Sequence, residues 1–135
     1  MGIDIFDYTD DGMKRVYDNG EWIVGIKNWR PNSDIMGFDC FERHNLTDEL
    51  FALVRGRCVL IWAVEEQGEL SFNAAGMEAG KVYNIPKSLW HNAIMSKNTG
   101  MIVVEASSTS TENSDVLKLE ASNIDNIRIM VEQHM

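Results

Sequence analysis

Apolar residues in this chain come in short runs with a period near two, and turn chemistry interrupts them at close intervals. Asp10-Asp11-Gly12 and Asn19-Gly20 are tight-turn signals set between runs rich in aromatic and β-branched residues. Alternation predicts strands over 3–8, 15–17, 22–29, 38–44, 49–55, 58–64, 69–73, 81–85, 91–96, 101–106 and 116–119. Further breaks stand at Pro31-Asn32-Ser33, Arg55-Gly56, Gln67-Gly68, Ala79-Gly80, Pro86-Lys87-Ser88 and Asn98-Thr99-Gly100. Many short strands at even spacing predict an all-β sandwich or barrel rather than βαβ units. Only the tail departs from this pattern. Ile124, Ile127, Met130 and Val131 form a helical stripe over 122–133, and Ser122 with Asp125 resembles a capping box; a last strand is the competing reading.

At 135 residues, with 44% hydrophobic and 24% charged, the chain reads as one domain over 1–135 with an ordinary core. The formal net charge of -9 argues against a nucleic-acid or anionic-membrane partner, because such a surface repels phosphate. No run of about 18 apolar residues is present, so no membrane-spanning helix is expected. Cys40 and Cys58 show neither CxxC spacing nor a disulfide framework and read as reduced thiols. The first residues, MGIDIFDYTDD, lack the basic and apolar regions of a signal peptide, which gives a cytoplasmic expectation.

The candidate chemistry begins on the segment Cys40-Phe41-Glu42-Arg43-His44. As a strand it places Cys40, Glu42 and His44 on one face, with Phe41 and Arg43 on the other. After a short connection the next strand opens with Glu49, and pairing of the two strands sets Glu49 beside His44. Of the three histidines, His91 stands at another strand start, after Pro86-Lys87-Ser88-Leu89-Trp90, while His134 lies in the tail and reads as solvated.

These residues resemble the two motifs of the cupin superfamily, G-x5-H-x-H-x3/4-E-x6-G and G-x5-P-x-G-x2-H-x3-N. Glu42-x-His44-x4-Glu49-x6-Gly56 follows the first, with Glu42 in place of its first histidine and Gly37 one residue closer than the pattern asks. Gly80-x5-Pro86-x-Ser88-x2-His91 follows the second, with Ser88 for its glycine and Met95 for its asparagine. The resemblance implies a cupin-type double-stranded β-helix (a jelly-roll barrel). It also implies one divalent metal ion (Mn, Fe, Ni, Co or Zn) held by His44, Glu49 and His91, with Glu42 as fourth ligand or as a base beside the metal. A mixed imidazole–carboxylate shell suits such ions.

Alternation adds further inward candidates. Tyr83 precedes Pro86, and Glu105 ends the apolar run 101–104, where burial suits a carboxyl to acid–base work. Trp62 and Trp90 read as core or rim aromatics, and Cys40 as an inert thiol lining the cavity. The expected function is isomerase- or lyase-type chemistry on a small polar or sugar-derived substrate, with Glu42, Glu105 and Tyr83 as catalytic candidates. The alternative is a non-catalytic module that senses or stores a small ligand or metal. A site holding both Glu42 and Glu49 is near neutral and favours an uncharged, polyhydroxylated ligand over an anion. The apolar runs 3–8 and 22–29 lend themselves to pairing with a second copy, so a homodimer is expected.

Overall fold

The period-two runs fold into ten strands and one C-terminal helix; the computed structural model describes residues Met1–Met135. The strands are β1 (Met13–Asp18), β2 (Trp22–Asn28), β3 (Cys40–His44), β4 (Glu49–Arg55), β5 (Cys58–Glu66), β6 (Glu69–Gly76), β7 (Tyr83–Ile85), β8 (Trp90–Met95), β9 (Gly100–Ala106) and β10 (Ser114–Lys118). They make two antiparallel five-stranded sheets, β1-β2-β9-β4-β7 and β10-β3-β8-β5-β6. Between the sheets lies one apolar cluster that includes Phe51, Leu60, Met95, Met101 and Val103. A second cluster, around Phe41, Ile61 and Ile94, covers the outer face of the β3-β8-β5 sheet under Ile127 and Val131 of α1 (Ala121–Glu132). That sheet is buried on both faces, which explains why β5 reads as a continuous apolar run, Cys58 to Val64, with no alternation.

The tail is a helix, as the stripe predicts, and the competing strand does not form. The capping box does not form either. The N-cap is Glu120, without a side-chain cap, so packing of Ile127 and Val131 holds this helix rather than its start signal.

The expected strand over 3–8 is absent. Ile3 and Ile5 are 92% and 91% exposed, and the segment pairs with no strand. Alternation alone does not make a strand; that takes pairing with a neighbouring strand, which this segment does not have. The arm is held toward its end, where Asn28 Nδ2 donates to the carbonyls of Tyr8 and Asp10 and the Phe6 ring lies 6.3 Å from that of Tyr17.

β3 and β4 do not pair; they belong to opposite sheets. The connection 45–48 crosses from one sheet to the other, so His44 and Glu49 meet across the barrel mouth instead of along a hairpin. At the far end of β4, Gly56 sits at φ +78, and a Cβ there would stand 2.5 Å from Thr99 Cα. Only glycine fits that turn. Ser88, standing for a motif glycine, adopts the same left-handed backbone at φ 67. Its N–H donates to the His44 carbonyl at 2.7 Å, tying the second motif to the first.

Candidate functional site

Strand register builds the site as two facing pairs. In one sheet Glu42 of β3 stands opposite His91 of β8, and in the other Glu49 of β4 stands opposite Glu105 of β9. Residues in register share a face, and here both faces look into the barrel. His44, two residues after Glu42, joins them from the end of β3. His91 Nε2 lies 3.2 Å and His44 Nε2 3.6 Å from Glu49 Oε1, and His44 Nε2 lies 3.9 Å from Glu42 Oε1. A cavity of about 290 Å³ opens onto the cluster, lined by Met13, Lys27, Arg30 and the side chains of Glu42, His44, Glu49 and Glu105.

Hydrogen bonds outside the cluster orient both imidazoles. His91 Nδ1 faces the Leu89 carbonyl at 2.9 Å, and a carbonyl only accepts, so Nδ1 carries a proton. The Nε2 of neutral His91 is then a lone pair directed at a carboxylate oxygen, an acceptor set against an acceptor. Only a cation shared between them, a proton or a metal ion, satisfies that contact. His44 Nδ1 lies 2.8 Å from Ser114 Oγ, leaving its Nε2 toward the same point.

The donor separations fit a metal ion. Two N/O ligands about 2.1 Å from one ion, at angles of 90–110°, lie roughly 3.0–3.5 Å apart. The 3.2 and 3.6 Å contacts match that spacing, with Glu42 slightly wider. Ligand atoms of Glu42, His44 and His91, and separately of His44, Glu49 and Glu105, lie within 4.8 Å of one another. Buried His and Glu side chains can therefore hold a metal here.

The carboxyls differ in their surroundings. Burial works against ionised Glu49, but the His44 and His91 rings outweigh it, with Lys27 nearby, and hold its carboxyl well below the usual range. Glu105 goes the other way. Burial and then the adjacent Glu49 carboxylate push it up to about 8, against the weaker pull of His44 and Arg15. Arg15 NH2 lies 3.6 Å from Glu105 Oε1, and Glu105 Oε2 is buried with no partner. The contact with Glu49 raises His44.

The structure thus brings together five of the six residues expected from sequence: Glu42, His44, Glu49, His91 and Glu105. It does not bring Tyr83 there. The Tyr83 ring packs on the inner core, and its hydroxyl accepts from the Glu78 N–H at 2.9 Å. Trp90 packs on the outer cluster under the Arg43 guanidinium, 4.3 Å from its ring centroid. Cys40 is half-buried, and burial raises its thiol, in keeping with an inert group. Lys27, Arg30 and Arg15 were not anticipated. The signal for Lys27 was present, since alternation along β2 puts it on the inward face of Ile23 and Gly25.

The sequence matches no protein-family model and no curated protein. Its fold matches solved structures. Pac13, described as a unique nucleoside dehydratase, superposes with a TM-score of 0.58 at 11% identity, covering 86% of this chain and 87% of Pac13. A Streptomyces PAC13 variant bound to uridine gives 0.57 at 12% identity over 86% and 88%. Protein SO0799 from Shewanella oneidensis gives 0.53 at 16% identity over 90% and 84%.

Metal-free protein should show a definite pH dependence. Glu105 and His44 both have raised folded pKa values, so between about pH 5 and 8 the folded state holds more protons than the unfolded chain. Stability then falls as pH rises through that window. Thermal melts of chelator-treated protein should show this decline, and Glu105→Gln should flatten it; an unchanged slope in the variant contradicts the assignment to Glu105. Two five-stranded antiparallel sheets, a C-terminal helix packed outside one of them and superposition on these structures give this chain the cupin-type barrel fold.

Proposed function

We propose that this protein is a metal-dependent enzyme performing lyase- or isomerase-type chemistry on a small polar, sugar-derived compound. The observation that carries the reading is the approach of His44 Nε2 and His91 Nε2 to one oxygen of Glu49, beside a cavity that Glu42 and Glu105 also line. His44, Glu49 and His91 would hold the ion, and Glu42 lies close enough to complete the set. When bound, a divalent ion such as Mn, Fe, Ni, Co or Zn supplies a Lewis acid that polarises a substrate carbonyl or hydroxyl.

The chain's own residues supply proton transfer and orientation. Many lyase and isomerase reactions of such compounds begin by removing a proton next to a carbonyl, a step a carboxylate on the cavity wall can serve as general base. Glu42 is the accessible one, with its side chain 36% exposed. Glu105 is the buried one, with an oxygen that no protein group satisfies. Glu42 is assigned as the base, and Glu105 as the acid that returns the proton or protonates a leaving hydroxyl. Arg15 keeps Glu105 turned toward the cluster and also donates to the Ser107 and Thr109 carbonyls, holding the loop after β9 beside the mouth. The nucleoside dehydratase activity stated for Pac13 is lyase chemistry, which supports this reaction class on the same fold. Two free thiols, Cys40 and Cys58, fit a reducing, cytoplasmic setting.

Removing a ligand should empty the site. His44→Ala, Glu49→Ala and His91→Ala should each lower metal content at least about tenfold in untagged protein, read by elemental analysis, with Glu42→Ala weaker. Full occupancy in His91→Ala contradicts the cluster. A turnover screen with the metal found then decides between readings. Metal and ligand binding without turnover selects a binding module instead.

We also infer a homodimer. The exposed arm, with Ile3, Ile5 and Phe6 uncovered, leads into β1, the edge of its sheet, and a second copy supplies the strand partner both lack. Light scattering at micromolar concentration should give twice the chain mass, and removing residues 1–7 should halve it. A mass of 15.3 kDa for the intact chain contradicts the arm's role.

A further inference from the structure

Lys27 occupies a costly position. It follows Ile23 and Gly25 on the inward face of β2, in register with Met13 on one side and buried Met101 on the other. Its Nζ lies 5.3 Å from the ring centroid of Phe51, itself fully buried in the inner core. An ammonium drawn partly out of water is retained where something compensates it. The neighbouring inward cation, Arg15, is compensated, with Glu105 and two carbonyls around its guanidinium. Lys27 makes no ion pair within 4.0 Å and no side-chain hydrogen bond, although it shares a cavity with three glutamates. Arg30, two residues beyond β2, lines the same cavity and likewise has no ion pair or side-chain hydrogen bond.

The two cations also line an adjoining recess, together with Asn32, Ser33, Asn92, Cys40 and Glu42. Both cations face this space without a salt bridge to the glutamates that share it. The charge sum changes accordingly. A divalent ion would be balanced by Glu42 and Glu49, and Arg15 lies beside a Glu105 carboxyl that burial keeps readily protonated. Lys27 and Arg30 then leave the cavity positive, inside a chain whose net charge is -9.

We infer that Lys27, with Arg30, binds an anionic group of the ligand, a carboxylate or a phosphate, and that the ligand is a small polar molecule carrying one such group. The inference names the substrate class for the site proposed above and rests on that reading only in taking the cavity as a small-molecule site. Lys27 is placed to fix the ligand's charged end while the polar body reaches His44 and Glu49. The choice between carboxylate and phosphate is left to the size of the anion.

Calorimetric titration of untagged wild-type protein, with and without added Mn²⁺, tests it using inorganic phosphate, glycolate, glycolaldehyde phosphate and uncharged glycerol as probes. Anionic probes should bind and glycerol should not. Lys27→Met keeps the apolar stem and should weaken anion binding at least about tenfold. Arg30→Gln, on an exposed side chain, should weaken it in the same direction without touching the core. Lys97→Met, which removes one exposed charge elsewhere, should leave it unchanged. Stronger binding of the phosphates or of glycolate identifies the anion. Equal anion affinity in wild type, Lys27→Met and Arg30→Gln overturns the inference, as does tighter binding of glycerol than of any anion. Metal uptake read in the same samples separates the two proposals. Metal bound with no anion seat leaves the enzyme reading standing, and Lys27-dependent anion binding without metal uptake leaves only the seat.

Discussion

Glu49 and Glu105 stand opposite each other on adjacent strands, both buried, and facing carboxylates in that register repel. An unsatisfied buried polar group costs about 1–3 kcal/mol, and a charged one more. The surrounding structure answers that repulsion. Two imidazoles converge on Glu49, Arg15 reaches Glu105 from the edge strand, and burial keeps Glu105 readily protonated. The His91 ring, fixed by the Leu89 carbonyl, presents a lone pair to Glu49. A cation shared between them, a proton or a metal ion, would satisfy that contact.

The barrel makes this arrangement by closing two sheets over one apolar core and leaving the mouth polar. Connection 45–48 carries the chain from the sheet of β3 to the sheet of β4, so ligands adjacent in sequence approach from opposite walls. The Ser88 N–H bonded to the His44 carbonyl fastens the second motif against the first. Helix α1, packed on the outside through Ile127 and Val131, leaves the mouth open.

Much of this was legible in the sequence, for identifiable reasons. Period-two alternation located the strands of both sheets within a few residues, and motif spacing named four polar residues of the cluster. Alternation failed at Ile3 and Ile5, because a pattern of side-chain directions does not reveal whether a partner edge exists. It was also silent on sheet membership, so His44 and Glu49 were correctly joined by the wrong route. Tyr83 faces inward as expected, yet its hydroxyl is engaged by the Glu78 N–H away from the cluster. Lys27 and Arg15 went unread because charged residues in strands are ordinarily taken as solvent-facing. Here the inward rows of β1 and β2 place Arg15 beside Glu105 and Lys27 in the cavity that the glutamates line.

Anomalous diffraction from crystals grown with Mn²⁺ tests most directly whether both sheets converge on one cation. A single strong peak about 2.2 Å from His44 Nε2, His91 Nε2 and a Glu49 oxygen is the expected result. A peak held by other residues, or none at saturating Mn²⁺ while Glu49 keeps its contacts to both rings, would contradict it.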